Sequence, residues 1–231
     1  MSIAENIAQV RANIAQACAQ AGRSPEEITL VGASKMNDAA ACREAIAAGI
    51  DALGENRVQE MSAKLAESVY DGAPLHFIGH LQRNKVKQVV GKVALIQSVG
   101  SMELLEEIEK VAAREQLVQD ILLEVNIGRE EAKSGFDPDA VTAAAEAALS
   151  LPHVRVRGLM TIPPADADRD ANMRYFQEVQ ALYVDINTKL FHNELKCLSM
   201  GMSGDYMDAI RCGATMVRVG TAIFGARNYN I

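Results

Sequence analysis

No apolar run in this chain is long enough to span a bilayer, and its amino-terminal stretch lacks the continuous apolar core of a signal peptide. The expected location is therefore the cytoplasm, with no membrane partner. The four cysteines, Cys18, Cys42, Cys197 and Cys212, show neither CxxC spacing nor a paired framework. They read as small buried hydrophobes in a reducing compartment rather than as a disulfide scaffold. His76, His80, His153 and His192 fall into no HxH or HExxH pattern, so no metal site is expected. A net charge of −7 argues against a general nucleic-acid binder. Internal repeats, low-complexity tracts and domain-separating linkers are also missing.

What remains is a chain of 231 residues, 49% hydrophobic, with charges of both signs throughout. That is enough for one large core, and the expectation is a single domain over residues 1–231. The opening MSIAENIAQVRANIAQ is an amphipathic helix with Ile3, Ile7, Val10, Ile14 and Cys18 on one face. Strand-like apolar runs follow at about 28–34, 52–55, 75–80, 94–99, 121–127, 154–160, 197–202 and 216–220. Helical patterns alternate with them: Leu104, Ile108 and Val111 behind a Ser101 N-cap, a start at Asp137-Pro138, and Met173 through Leu190. Gly49 and Gly213 stand where helices are capped at their C-termini, and 161–171 is a polar proline-containing loop.

Strands alternating with helices imply parallel pairing, and continuously apolar strands imply burial on both faces. Eight such units in roughly 200 residues fit an α/β fold of the (β/α)₈ TIM-barrel type, with an extra N-terminal helix. The competitor, an open doubly wound sheet, usually brings a glycine-rich first turn; here GASK follows strand one, with no GxGxxG.

The functional face of such a barrel lies at the C-terminal ends of its strands. Lys35 ends the first run, Ile28-Thr29-Leu30-Val31-Gly32-Ala33-Ser34-Lys35, where partial desolvation favours a neutral, nucleophilic amine. Taken alone, that segment also fits a lysine snorkelling to the surface. The loops Ser199-Met200-Gly201-Met202-Ser203-Gly204-Asp205 and Gly220-Thr221-Ala222-Ile223-Phe224-Gly225 follow strands seven and eight, where barrels recurrently bind phosphate. Ser203 and Thr221 add hydroxyl donors. Strands one and eight are neighbours in a closed barrel. A carbonyl-seeking amine beside a phosphate cradle suits one ligand, pyridoxal 5′-phosphate, with Arg218 in reach of its ring nitrogen.

The motifs LVGASK around Lys35, GENRVQE at 54–60, HFIGHLQRNK at 76–85, VNIGREEAKSGF at 125–136, GLMTIPP at 158–164, LSMGMSGDY at 198–206 and VRVGTAIFG at 217–225 run in order along the chain. In them the chain resembles the YggS/PROSC-type pyridoxal-phosphate-binding proteins, single-domain relatives of the alanine racemase barrel. The resemblance implies a Schiff base on Lys35. It implies phosphate contacts from Ser203, Gly220 and Thr221, with Ser199 contributing, and Arg218 as the pyridine-nitrogen partner. Asn56 and Met200 are then expected to line the ring, whereas His80 stays a weaker candidate. The family commonly reads SKTKP after the strand, whereas this chain reads Ser34-Lys35-Met36-Asn37-Asp38. If a nearby second lysine helps cofactor transfer, that step is the one affected.

The implied role is vitamin B6 homeostasis: a monomer that buffers the cofactor or delivers it to apo-enzymes, without catalytic residues of its own. The runner-up is a weak or narrow amino-acid racemase. A two-base racemase needs a second acid/base group opposite the lysine, supplied in alanine racemases by a tyrosine of another domain, which is not expected here. A third reading, a sugar-phosphate enzyme with an aldolase-type Lys35, predicts no yellow cofactor.

Overall fold

The computed structural model describes residues 1–225. Its elements, in chain order, are α1 (Ile3–Gln20), β1 (Thr29–Ala33), α2 (Ala39–Ala47), β2 (Ala52–Glu55), α3 (Val58–Ala66), β3 (Leu75–Phe77), β4 (Leu95–Val99), α4 (Met102–Arg114), β5 (Gln119–Val125), α5 (Val141–Ala148), β6 (Val154–Thr161), α6 (Arg169–Leu190), β7 (Cys197–Ser199), α7 (Tyr206–Arg211), β8 (Met216–Val219) and α8 (Thr221–Phe224). The eight strands pair in parallel, each with its sequence neighbour. β8 returns to β1 through Thr29–Met216, Leu30–Val217, Val31–Arg218 and Gly32–Val219, which closes the barrel. All eight apolar runs form strands, and the doubly wound alternative is excluded.

Two apolar layers follow from the period-two alternation of the strands. Val31, Ala52, Leu95, Leu122, Met160 and Met216 pack together as the plug of the barrel. The other face of each strand, with Leu30, Leu53, Phe77, Ile96 and Leu123, packs under the helices in the larger core. Helix α1 starts in a capping box, Ser2 Oγ accepting from Glu5 N–H while Glu5 accepts from Ser2 N–H. Its Ile7, Val10, Ile14 and Cys18 are buried, so this face joins the barrel's helical ring between α2, α7 and α8.

Two elements depart from the sequence reading. Helix α5 begins at Val141, not at Asp137-Pro138. Asp137 Oδ1 instead accepts from Asp139 N–H at 2.9 Å, and its carbonyl takes Ala140 N–H at 2.8 Å. This local Asx turn competes with the first helical turn. After β3 the chain forms only a 3₁₀ helix, Arg83–Gln88. Ser101 caps α4 as expected, its hydroxyl accepting from Leu104 N–H at 3.2 Å.

Candidate functional site

Lys35 follows β1 at the C-terminal mouth of the barrel, and Ser34 faces outward, its hydroxyl donating to Glu55. Lys35 occupies the second position of a tight turn closed by Asn37 N–H on Ser34 O at 3.1 Å. Met36, in the third position, has φ of 62°. That left-handed position normally takes glycine, and a longer side chain held there stores about 1 kcal/mol or more of strain. The turn that carries Lys35 is therefore strained at the residue that follows it.

Polar groups brace this turn from outside the barrel. Lys64 of α3 is almost fully buried and donates to Ser34 O at 3.1 Å, Glu55 Oε1 at 2.7 Å and Glu60 Oε1 at 3.0 Å. An ammonium has three protons, and all three are matched to acceptors. Ser34 Oγ and Tyr70 OH donate to the same Glu55 oxygen at 2.8 and 2.9 Å. Burial alone would lower the Lys64 pKa, but Glu55 and then Glu60 reverse the sign and hold it above the usual lysine range. Burial and Glu55 likewise hold the Tyr70 phenol far above its ordinary value.

Arg218 projects from β8 into the interior and is buried. Its NH1 donates to Ser199 Oγ at 2.6 Å and its NH2 to Thr161 O at 2.9 Å. Ser199 donates onward to Gln97 Oε1 at 2.7 Å, and Gln97 Nε2 meets His76 Nδ1 at 2.9 Å. Burial pushes His76 down to about 4, so it is the neutral end of this chain. Burial also pushes Arg218 down to about 10, with Glu124 and Asp205 opposing, which leaves the guanidinium charged at neutral pH. Glu124 is raised by burial, against the pull of the Ser134 hydroxyl, Arg218 and His80.

Beside Arg218, the hydroxyl of Ser203 accepts from the N–H groups of Gly220 at 3.2 Å and Ala222 at 3.3 Å. Backbone donors from the start of α8 thus converge with a serine hydroxyl and the neighbouring Thr221, a donor set suited to a phosphate. Asn56, at the end of β2, has a buried Oδ1 with no protein partner among the described residues. A polar ring substituent would satisfy it. These two features fit a phosphorylated ligand with a polar ring.

The structure brings Lys35, Asn56, Ser203, Arg218, Gly220 and Thr221 to one end of the barrel. Ser199 lies beneath Arg218, its hydroxyl held between that guanidinium and Gln97. Met200 is fully buried within the larger core. His80 is exposed at the rim of a cleft of about 710 Å³, which it lines with Arg83, Ser98, Ser101, Lys133 and Ser134. Sequence reasoning missed Lys64, Tyr70 and Gln97; only the i,i+4 spacing of Glu60 and Lys64 on a helix hinted at the first.

Gly79 is required by the close approach of the β2 and β3 loops. A Cβ there would fall 2.2 Å from Asn56 O and 2.5 Å from Asn56 Cα. Gly79→Ala is expected to push Asn56 aside and to destabilise the fold by about 1–3 kcal/mol. Denaturant unfolding checks the first effect in stability, and ligand titration checks the displaced Asn56 as weakened binding.

Residues 6–228 match the family described as alanine racemase, N-terminal domain. The chain is 43% identical over 230 residues to the pyridoxal phosphate homeostasis protein of Aquifex aeolicus, covering 99% of this chain and 100% of that one. It is 41% identical over 228 residues to the protein of the same name from Pseudomonas aeruginosa, covering 99% and 97%. PipY of Synechococcus elongatus, in its structure with pyridoxal phosphate bound, superimposes with a TM-score of 0.84 at 33% identity, covering 97% of this chain and 100% of that one. The chain belongs to the alanine racemase N-terminal domain family, alongside the pyridoxal phosphate homeostasis proteins.

Proposed function

We propose that this protein binds pyridoxal 5′-phosphate at the mouth of its barrel and serves vitamin B6 homeostasis, holding the cofactor on Lys35 and buffering or delivering it without turnover. The observation that carries this reading is the pairing of β1 with β8, which sets the turn carrying Lys35, just past β1, beside the loops after β7 and β8, where Ser203 accepts from Gly220 and Ala222. When bound, the cofactor supplies an aldehyde that condenses with a primary amine. The chain's residues then divide the work. Ser203, Gly220 and Thr221 hold the phosphate. Asn56 lines the ring, and Arg218, steadied by Ser199 and Thr161, faces the ring nitrogen. A guanidinium donates but does not readily give up its proton, so it keeps that nitrogen unprotonated and the ring a weak electron sink.

Weak electron withdrawal suits storage better than carbanion chemistry. The placement of tyrosines supports the same conclusion. The hydroxyls of Tyr70, Tyr183 and Tyr206 are engaged with Glu55, Leu195 O and Asn13; Tyr175 packs against the core under the helices, and Tyr229 lies outside the described residues. We further propose a monomer working in the cytoplasm. The kinship with alanine racemases keeps a weak or narrow racemase activity as the second reading.

The test is to titrate the purified protein with pyridoxal phosphate, reduce it with borohydride and map the modified peptide. A yellow Schiff-base band, trapped on the peptide containing Lys35, is the expected result. Loaded protein should then leave L- and D-alanine unchanged, and measurable interconversion would transfer support to the racemase reading. An absent band, with sugar phosphates binding instead, would overturn the cofactor assignment.

A further inference from the structure

The turn carrying Lys35 has its two flanking peptide groups gripped by side chains from one turn of α3. Ser34 O, before Lys35, accepts from Lys64 Nζ at 3.1 Å. Met36 N–H, after Lys35, donates to Glu60 Oε1 at 2.6 Å. Glu60 and Lys64 are themselves joined at 3.0 Å, and Lys64 is anchored on the fully buried Glu55. Glu55 points outward from β2, and the network sits between β1, β2 and α3, where its bonds reach the backbone on both sides of Lys35.

The grip acts where the backbone most needs it. Met36 holds φ of 62° without the freedom of glycine, so an unrestrained turn would relax toward negative φ and carry Lys35 with it. A carboxylate on the Met36 amide opposes that relaxation through a charge-assisted bond. We propose that Glu60 and Lys64 are positioning residues for Lys35, fixing the amine against the ligand by clamping the peptides on either side of it. This rests on the reading of Lys35 as the cofactor lysine. It adds an outer pair of residues that touches neither cofactor nor substrate.

The experiment follows growth of the Schiff-base band by stopped-flow after mixing with pyridoxal phosphate, in wild type, Glu60→Ala, Glu60→Gln and the double variant Glu60→Ala/Met36→Gly. Glu60 is partly exposed, so its loss leaves the core intact. Glu60→Ala should slow band formation about tenfold through misplacement of the amine. Glu60→Gln, which keeps an acceptor without the charge, should fall only about threefold below wild type. Met36→Gly should recover rate in the Glu60→Ala background, because glycine adopts positive φ without strain. A purely structural role would show neither recovery. A wild-type rate in Glu60→Ala, or a slow rate that neither Glu60→Gln nor Met36→Gly improves, overturns the proposal. If Glu60→Ala does not fold, Glu60→Gln carries the test, and a wild-type rate there overturns it. Absence of any band in the wild type would instead refute the cofactor reading and take the positioning role down with it.

Discussion

Lys35→Ala is expected to abolish the yellow band completely while leaving the protein folded. No other lysine near the turn is equipped to substitute for it. Lys64 lies close in the structure, yet its three protons are matched to Ser34 O, Glu55 and Glu60, and its pKa stands above the ordinary lysine range. A Schiff base requires the neutral amine, so Lys64 is withheld from the aldehyde both by charge and by geometry. Lys35 lies in a turn at the barrel's mouth, where truncation should alter stability by about 1 kcal/mol or less. The proposed phosphate contacts in the loops after β7 and β8 are untouched by the substitution, so weakened, non-covalent binding should persist. Absorbance titration with borohydride trapping separates these effects. A band surviving in Lys35→Ala, with the reduced adduct mapped to another lysine, would mean that the amine has been misassigned.

The parts of this molecule that were legible in its sequence share a physical cause. Apolar runs such as Ile28–Ala33 and Val154–Met160 announce strands because a parallel barrel buries both strand faces, and all eight took their places. Lys35 and Arg218 stood out because each is a charge at the end or inside such a run. The helix expected at Asp137-Pro138 started later because a side chain captured a nearby backbone amide, a competition that periodicity does not register. The bracing network was hidden for another reason. Glu55, Lys64 and Tyr70 lie 9 and 15 positions apart in pairs, on different elements, and meet only once α3 has packed on the barrel. Met200, singled out only because its loop resembles a ligand-binding motif, is a fully buried residue of the larger core, a burial that its loop sequence alone does not announce.

Lys64→Met should be among the most destabilising single substitutions in the protein, and its remedy is a second substitution rather than a reversal. Glu55 is wholly buried, its Oε1 shared by Lys64, Ser34 and Tyr70, and its Oε2 has no protein partner among the described residues. Removing the ammonium leaves a carboxylate in the core with only two hydroxyl donors. Breaking a buried pair in this way typically loses about 3–5 kcal/mol, which for a chain of this size lowers the melting temperature by roughly 10 °C. Glu55→Gln in the same background removes the stranded charge while keeping an oxygen for Ser34 and Tyr70. The double variant should therefore be more stable than Lys64→Met alone, with a coupling of about 2 kcal/mol. The pH dependence carries a matching sign. Because folding raises the Lys64 pKa above 10.5, its contribution is complete below that value and is lost as pH climbs through the folded value. Wild type should thus weaken in strong alkali, and a variant with methionine at position 64 should lack that component. Thermal melts of the wild type, both single variants and the double variant at neutral and alkaline pH decide the matter. Simple additivity of the two substitutions would show that Lys64 and Glu55 do not stabilise the fold as a pair.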